Sequence, residues 1–154
     1  MNNDAFEFKD KGLKGLIRAL SESSPTAKVG ILGGGKARTE AFTTNAEIGA
    51  KHEFGDDTVP QRSFLRMPIT EKMQKYLDES KFFDEDAFKL IINAKKLTEW
   101  VKKFAILGES IVADAFDSGG FGKWKPSNMD HKKNEQTLVE TQQLRNSITS
   151  EVKE

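Results

Sequence analysis

The feature that most limits what this chain can fold into is an apolar stripe running from Asp84 to Asp117. Phe88, Ile91, Ile92, Leu97, Trp100, Val101, Phe104, Leu107, Ile111 and Phe116 recur at helical spacing over roughly nine turns. A helix with so long an apolar face must lie across a second layer of its own domain or reach a neighbour, because that face is costly to leave in water. Asp84, Glu85 and Asp86 fall in its first turn, where carboxylates suit the helix dipole.

Other elements are shorter. Leu13, Leu16, Ile17 and Leu20 recur at i, i+3, i+4 and i+7, which predicts an amphipathic helix from Asp10 to about Glu22 with Asp10 as N-cap. An apolar run at Ala27–Leu32 reads as a strand, broken by Gly33–Gly35. A short helix is expected from Thr44 to Phe54, closed by Gly55. The segment "DDTVPQRSFLRMP" reads as an extended arm. Pro68 then opens a helix with Ile69, Met73, Tyr76 and Leu77 on one face. Residues Ser118 to Asn128 form a loop, and "MDHKKNEQ" is polar with no clear preference. A turn of helix or a loop is expected around Leu138–Leu144, before an alternating strand at Ser147–Val152. Strands separated by helices in this order point to a single α+β domain spanning 1–154.

Charge narrows the function classes. Lys+Arg and Asp+Glu are each 24, so the net charge is zero and the basic excess of a dedicated nucleic-acid binder is missing. A neutral surface does little to oppose association with other proteins. With 31% charged and 36% hydrophobic residues, a modest core is expected, and part of the chain would become ordered in an assembly. There is no cysteine, hence no disulfide and no thiolate metal site, which fits an intracellular setting. "MNNDAFEFKD" lacks the basic and apolar regions of a signal peptide, and no stretch approaches the roughly 18 apolar residues of a membrane span. No membrane partner is expected, and a cytoplasm is the expected place of synthesis and use.

The stretch "KVGILGGGKARTE" carries a P-loop spacing from Gly30 to Lys36. A phosphate cradle needs a serine or threonine after the lysine to hold magnesium, and Ala37 occupies that position. Gly30 also falls inside the expected strand, not after it. The dinucleotide pattern fails because Arg38 stands where its third glycine belongs. A strand leading into a glycine turn is the better reading. "HEFGD" begins like a zinc-protease motif, but Asp56 replaces the second histidine, and His52 and His131 are the chain's two histidines. His52 reads as a partly buried helix residue, and Asp114 with Asp117 as solvated helix surface. No catalytic, cofactor or metal site is expected. "KWKPSNMDHKK", Lys123 to Lys133, is the one basic stretch with an aromatic in it. It suits phosphate contact with Trp124 stacking, or a loop that packs Trp124 with its lysines in water. The packed loop is the simpler reading, with a protein interface preferred to nucleic acid.

Two segments together say more than any single motif. In Ala46 to Ile69, an H-E-F-G helix end precedes the arm "P-Q-R-S-F-L-R"; in Phe121 to Val152, "W-K-P" precedes "L-V-E-T-Q-Q-L-R-N-S-I". This pairing resembles the tailed-phage virion-morphogenesis family, whose members act as tail-completion or neck proteins at the head–tail junction. The sequence departs from that pattern at Gln142, where members commonly carry glycine, and at Met129, where threonine is frequent. The resemblance implies that Asn146–Val152 pairs antiparallel with Ala27–Leu32, in a small sheet packed against the long helix, with shorter helices and an extended arm around it. It implies a non-enzymatic virion protein that forms a six-fold or twelve-fold homo-oligomeric ring. Its partners would be a head-completion or adaptor protein and a tail terminator or tube protein, around a channel that carries DNA, with no cofactor. Interface candidates on these segments are Arg62, Phe64, Leu65, Arg66, Trp124, Lys125, Leu144 and Arg145. Arg62 and Arg66 are expected to face a neighbour, since guanidinium suits interface ion pairs; for Phe64 a domain-internal and an interface role are both open. Alternative readings are a tail terminator or tube-associated protein of the same particle, a nucleotide-binding enzyme using Gly30–Lys36, and a DNA-binding regulator.

Overall fold

The computed structural model describes residues 14, 17, 18, 21, 25–32, 44–91, 94–125, 138 and 142–153. The expected helix from Asp10 to Glu22 lies largely outside them, although Lys14, Ile17, Arg18 and Ser21 have helical backbone. The glycine turn Gly33–Gly35 and the polar stretch after Lys125 also lie outside the described residues.

Strands β1 (Thr26–Gly30) and β2 (Thr149–Lys153) form an antiparallel two-stranded sheet with Ala27 opposite Val152 and Val29 opposite Ser150. Both strands are shifted by a residue or more from the expected bounds. Successive side chains alternate faces, so Ala27, Val29, Ser150 and Val152 share one face while Lys28, Glu151 and Lys153 share the other. A two-stranded ribbon is marginal alone and needs a second layer. That layer is the long helix.

Among the described residues five further helices have both ends placed: α1 (Asn45–Phe54), α2 (Arg66–Glu79), α3 (Glu85–Ile91), α4 (Ala94–Asp117) and α5 (Gln143–Asn146). This is an α+β arrangement in which α4 packs against both strands and α2 lies along α4. Gly108 makes the approach to the sheet close: a side chain there would meet Val29 Cγ2 at 3.0 Å. The buried side of α4 carries Leu97, Ala105, Ile111, Val112, Ala115 and Phe116. The core proper is Phe64, Val112, Phe116 and Leu144, ringed by Val29, Ile31, Leu65, Ile69, Trp124 and Ile148.

One expectation is corrected here. The stripe does not run as a single helix from Asp84 to Asp117, but divides into α3 and α4. The rings of Phe82 and Phe83 lie 5.1 and 5.7 Å from that of Trp100, far nearer than one straight helix would allow, so the chain folds back between them. The stripe steps five residues between Ile92 and Leu97, where a continuous face would step three or four.

Helix α1 begins with a capping box: Thr44 Oγ1 accepts from the Glu47 amide, and Glu47 Oε2 accepts from the Thr44 amide. It ends at Gly55, whose φ is 74° and whose amide donates to Lys51 O. This is the helix the sequence predicts.

Candidate interaction surface

Helix α2 starts with no side-chain bond from its own N-cap residue, Leu65. Its first amides would be orphaned, and the partner that meets them is a carboxylate from α1. Glu53, 6% exposed, accepts from the amides of Phe64 and Leu65 at 3.0 Å each and of Arg66 at 3.1 Å. It also accepts from Ser63 Oγ at 2.5 Å, and Ser63 Oγ in turn accepts from the Met67 amide at 3.0 Å. Two further bonds bind arm to helix: Arg62 N donates to His52 O, and Gln61 Nε2 donates to Glu53 O. A buried carboxylate is tolerated when its lone pairs are taken up by donors in this way. The "P-Q-R-S-F-L-R" arm is thus fastened to the "H-E-F-G" end of α1.

The loop after α4 closes the same corner. Gly119, Gly120, Phe121 and Gly122 all have left-handed φ, of 61°, 70°, 56° and 80°. Glycine takes this conformation without cost, but a bulky residue such as Phe121 takes it only when its surroundings impose it. At Gly120 a side chain would fall 2.3 Å from the Trp124 ring. The turn brings Trp124 edge-on to Phe116 at 5.5 Å, and its Nε1 donates to Ser63 O at 3.0 Å.

Each interface candidate can now be placed. Phe64 and Leu144 are 2% and 3% exposed and belong to the core. Arg62, expected to face a neighbour, is only 5% exposed; its Nε donates to Lys125 O at 2.7 Å, tying the arm to the loop. That is a correction: burial lowers the pKa of its guanidinium and leaves it almost no surface to offer. Leu65 is half-buried. Arg66 is exposed, with Nε 3.8 Å from Glu53 Oε1 and its guanidinium 5.9 Å over the exposed Phe54 ring. Trp124 is half-buried against the domain and Lys125 is exposed. Arg145 is half-buried and its Nη2 donates to Asp117 Oδ2 at 2.7 Å, joining α5 to the end of α4. Arg66, Trp124 and Lys125 therefore lie together near the start of α2, whereas Arg145 belongs to the α4–α5 junction.

A groove of about 150 Å³ opens at this corner, lined by Gln61, Met67, Glu71, Phe121, Lys123 and Trp124 among others. Lys123 Nζ donates to Glu71 Oε2, and Lys72 Nζ sits 4.7 Å over the Phe121 ring. Met67 keeps 40% of its surface exposed. The groove joins apolar walls to a polar rim that carries the Lys123–Glu71 pair and Lys72, a combination suited to holding a side chain. Among the described residues no group of histidine and acidic side chains is placed to hold a metal ion. Gly30 lies in β1 with a residue paired opposite, as expected, whereas Gly33 to Lys36 fall outside the described residues.

Glu53 is the residue that sequence reading missed. Its partners lie ten or more positions away and are mostly backbone amides, so no local pattern announces it. Comparison with known proteins returns no family model, no curated protein and no solved structure that matches the chain.

Proposed function

We propose that this chain is a structural, non-enzymatic component of a tailed-phage particle, acting at the head–tail junction as a tail-completion or neck protein. The observation that carries the reading is spatial. The two segments bearing the resemblance, far apart in sequence, are built into one another: Glu53 holds the arm, Arg62 and Ser63 hold the Lys125 and Trp124 backbone and ring, and Leu144 packs beside Phe64. Among the described residues, Glu53, Arg62, Ser63, Phe64, Trp124, Lys125 and Leu144 of these segments thus meet in one structural corner. Gln142, standing where the family commonly has glycine, has φ 55° and ψ 1°, the left-handed backbone that glycine favours.

In this reading the chain works by assembly. Copies form a ring, six-fold or twelve-fold, because a head-to-tail interface that closes suits a junction around a channel. One side of the ring meets a head-completion or adaptor protein and the other a tail terminator or tube protein. The test is deletion of the reading frame from its source phage or prophage, with the lysate imaged by electron microscopy. Filled heads beside separate complete tails, joined into virions on addition of the purified protein, are expected. Normal infectious particles from the deletion would overturn the reading.

A further inference from the structure

Two surfaces at opposite ends of the α2–α4 pair complement one another in size and charge. The helices are antiparallel: Glu71 near the start of α2 meets Lys123 just beyond α4, Tyr76 meets Asp114, and Phe82 just beyond α2 meets Phe104. The groove of Met67, Phe121 and Trp124 lies at one end. Phe83, 65% exposed, lies at the other, against Phe82 and Trp100. Helix α2 alone separates them by about 21 Å at 1.5 Å per residue.

The groove, at about 150 Å³, has the volume of a cavity known to accept one benzene ring. Beside it stand Lys72, over the Phe121 ring, and Lys123, paired with Glu71. Phe83 is followed directly by Asp84, Glu85 and Asp86, all exposed, offset in part by Lys81 and Lys89. An aromatic knob carrying carboxylates thus faces away from the domain at one end, and a ring-sized groove with Lys72 and Lys123 beside it opens at the other. Phe121, in left-handed backbone between glycines, is fixed as a wall of that groove.

We propose that these surfaces join in successive copies of the chain: Phe83 of one copy enters the Met67–Phe121–Trp124 groove of the next, with Asp84 to Asp86 against the lysines of its rim. The two patches are different, so the contact is heterologous, and repetition closes a ring or extends a filament. The inference supplies the self-contact that the ring reading above requires and rests on that reading for its closure; the contact itself is testable without it.

The chain has no cysteine, so a cysteine pair reports the contact cleanly. In the full-length protein carrying Lys123→Cys and Glu85→Cys, which keeps Phe83 and Met67, mild oxidation should give a disulfide-linked ladder of dimers, trimers and higher species. The two positions lie too far apart within one copy to bond to each other. Either single variant should stop at dimer. Phe83→Ala should melt like the parent yet associate at least tenfold more weakly in sedimentation. Rings that persist in Phe83→Ala with no ladder from the double variant would overturn the contact and leave the ring reading standing. A monomer at about 1 mM, with no ladder, also overturns it. A ladder from a protein whose deletion still yields joined particles would support the contact and sink the virion reading.

Discussion

The two tryptophans of the chain sit at opposite ends of the α2–α4 pair, and their surroundings differ in kind. Trp124 packs on Phe116, which is fully buried, and its Nε1 donates to Ser63 O. Trp100 stacks on Phe104 and meets Phe82 and Phe83 at a tilt, while its Nε1 is buried without a hydrogen-bond partner among the described residues. Phe83 and Phe88 beside α4 are 65% and 48% exposed. Aromatic content alone does not make a core. At the Trp124 end, polar groups fix where each ring goes: Glu53 holds the arm, Arg62 reaches the loop, and Arg145 pins α5. At the Trp100 end ring meets ring, and part of each ring remains in water. At the first end the rings are finished off by polar contacts within the chain while the groove beside them stays open, whereas at the second the rings stand partly in water.

Breaking the finished end should have the largest effect. Phe116→Ala should cost about 3–5 kcal/mol in a denaturant melt, the range for deleting a buried aromatic. A cost near that of Phe83→Ala, expected within about 0.5 kcal/mol, would erase the contrast between the ends. Next comes Glu53→Ala, which strands the Phe64, Leu65 and Arg66 amides and the Ser63 hydroxyl. Its loss should be about 3 kcal/mol. Amide exchange at residues 64–66 should rise together, and if only one amide is exposed, the carboxylate is not the shared partner described here.

A smaller effect, of opposite sign, belongs to the left-handed position before α5. Gln142→Gly should stabilise the fold by about 1 kcal/mol through relief of φ 55°. Lower stability would mean that the Gln142 side chain contributes more than its backbone costs.

The smallest effect is a slope with pH. Tyr76 is raised to about 12, by partial burial first and then by its bond to Asp114. The folded state holds that proton more tightly than the unfolded chain, so the contribution is intact below pH 10 and lost as pH rises toward about 12. Tyr76→Phe should flatten stability against pH across that window relative to the parent, and parallel curves would show that the Asp114 contact is dispensable.

Legibility followed the reach of the interactions. Helix α1 was readable because its signals are local: Thr44 and Glu47 cap it and Gly55 ends it. The strand pairing followed from the resemblance, since period-2 alternation marks a strand but names no partner. The fold-back between α3 and α4 left a trace in the five-residue step of the stripe, which the overall periodicity concealed. Arg62 could not be placed from the sequence. Interface and interior draw on the same guanidinium chemistry, and the acceptor that decided between them is a carbonyl in a distant loop. The glycines at 119, 120 and 122 announced a loop, but not that Phe121 would be forced into the same left-handed turn.

The sheet has a kinetic consequence. Its paired residues stand about 120 positions apart, and closing such a loop in a flexible chain costs roughly 4 kcal/mol in entropy before any bond is gained. Five residues on each side cannot offset that unaided. The pairing must therefore wait until α4 and the arm have drawn the two segments together. Of all the elements, β1 and β2 should be the last to acquire protection during refolding, and their amides would time the completion of the whole domain.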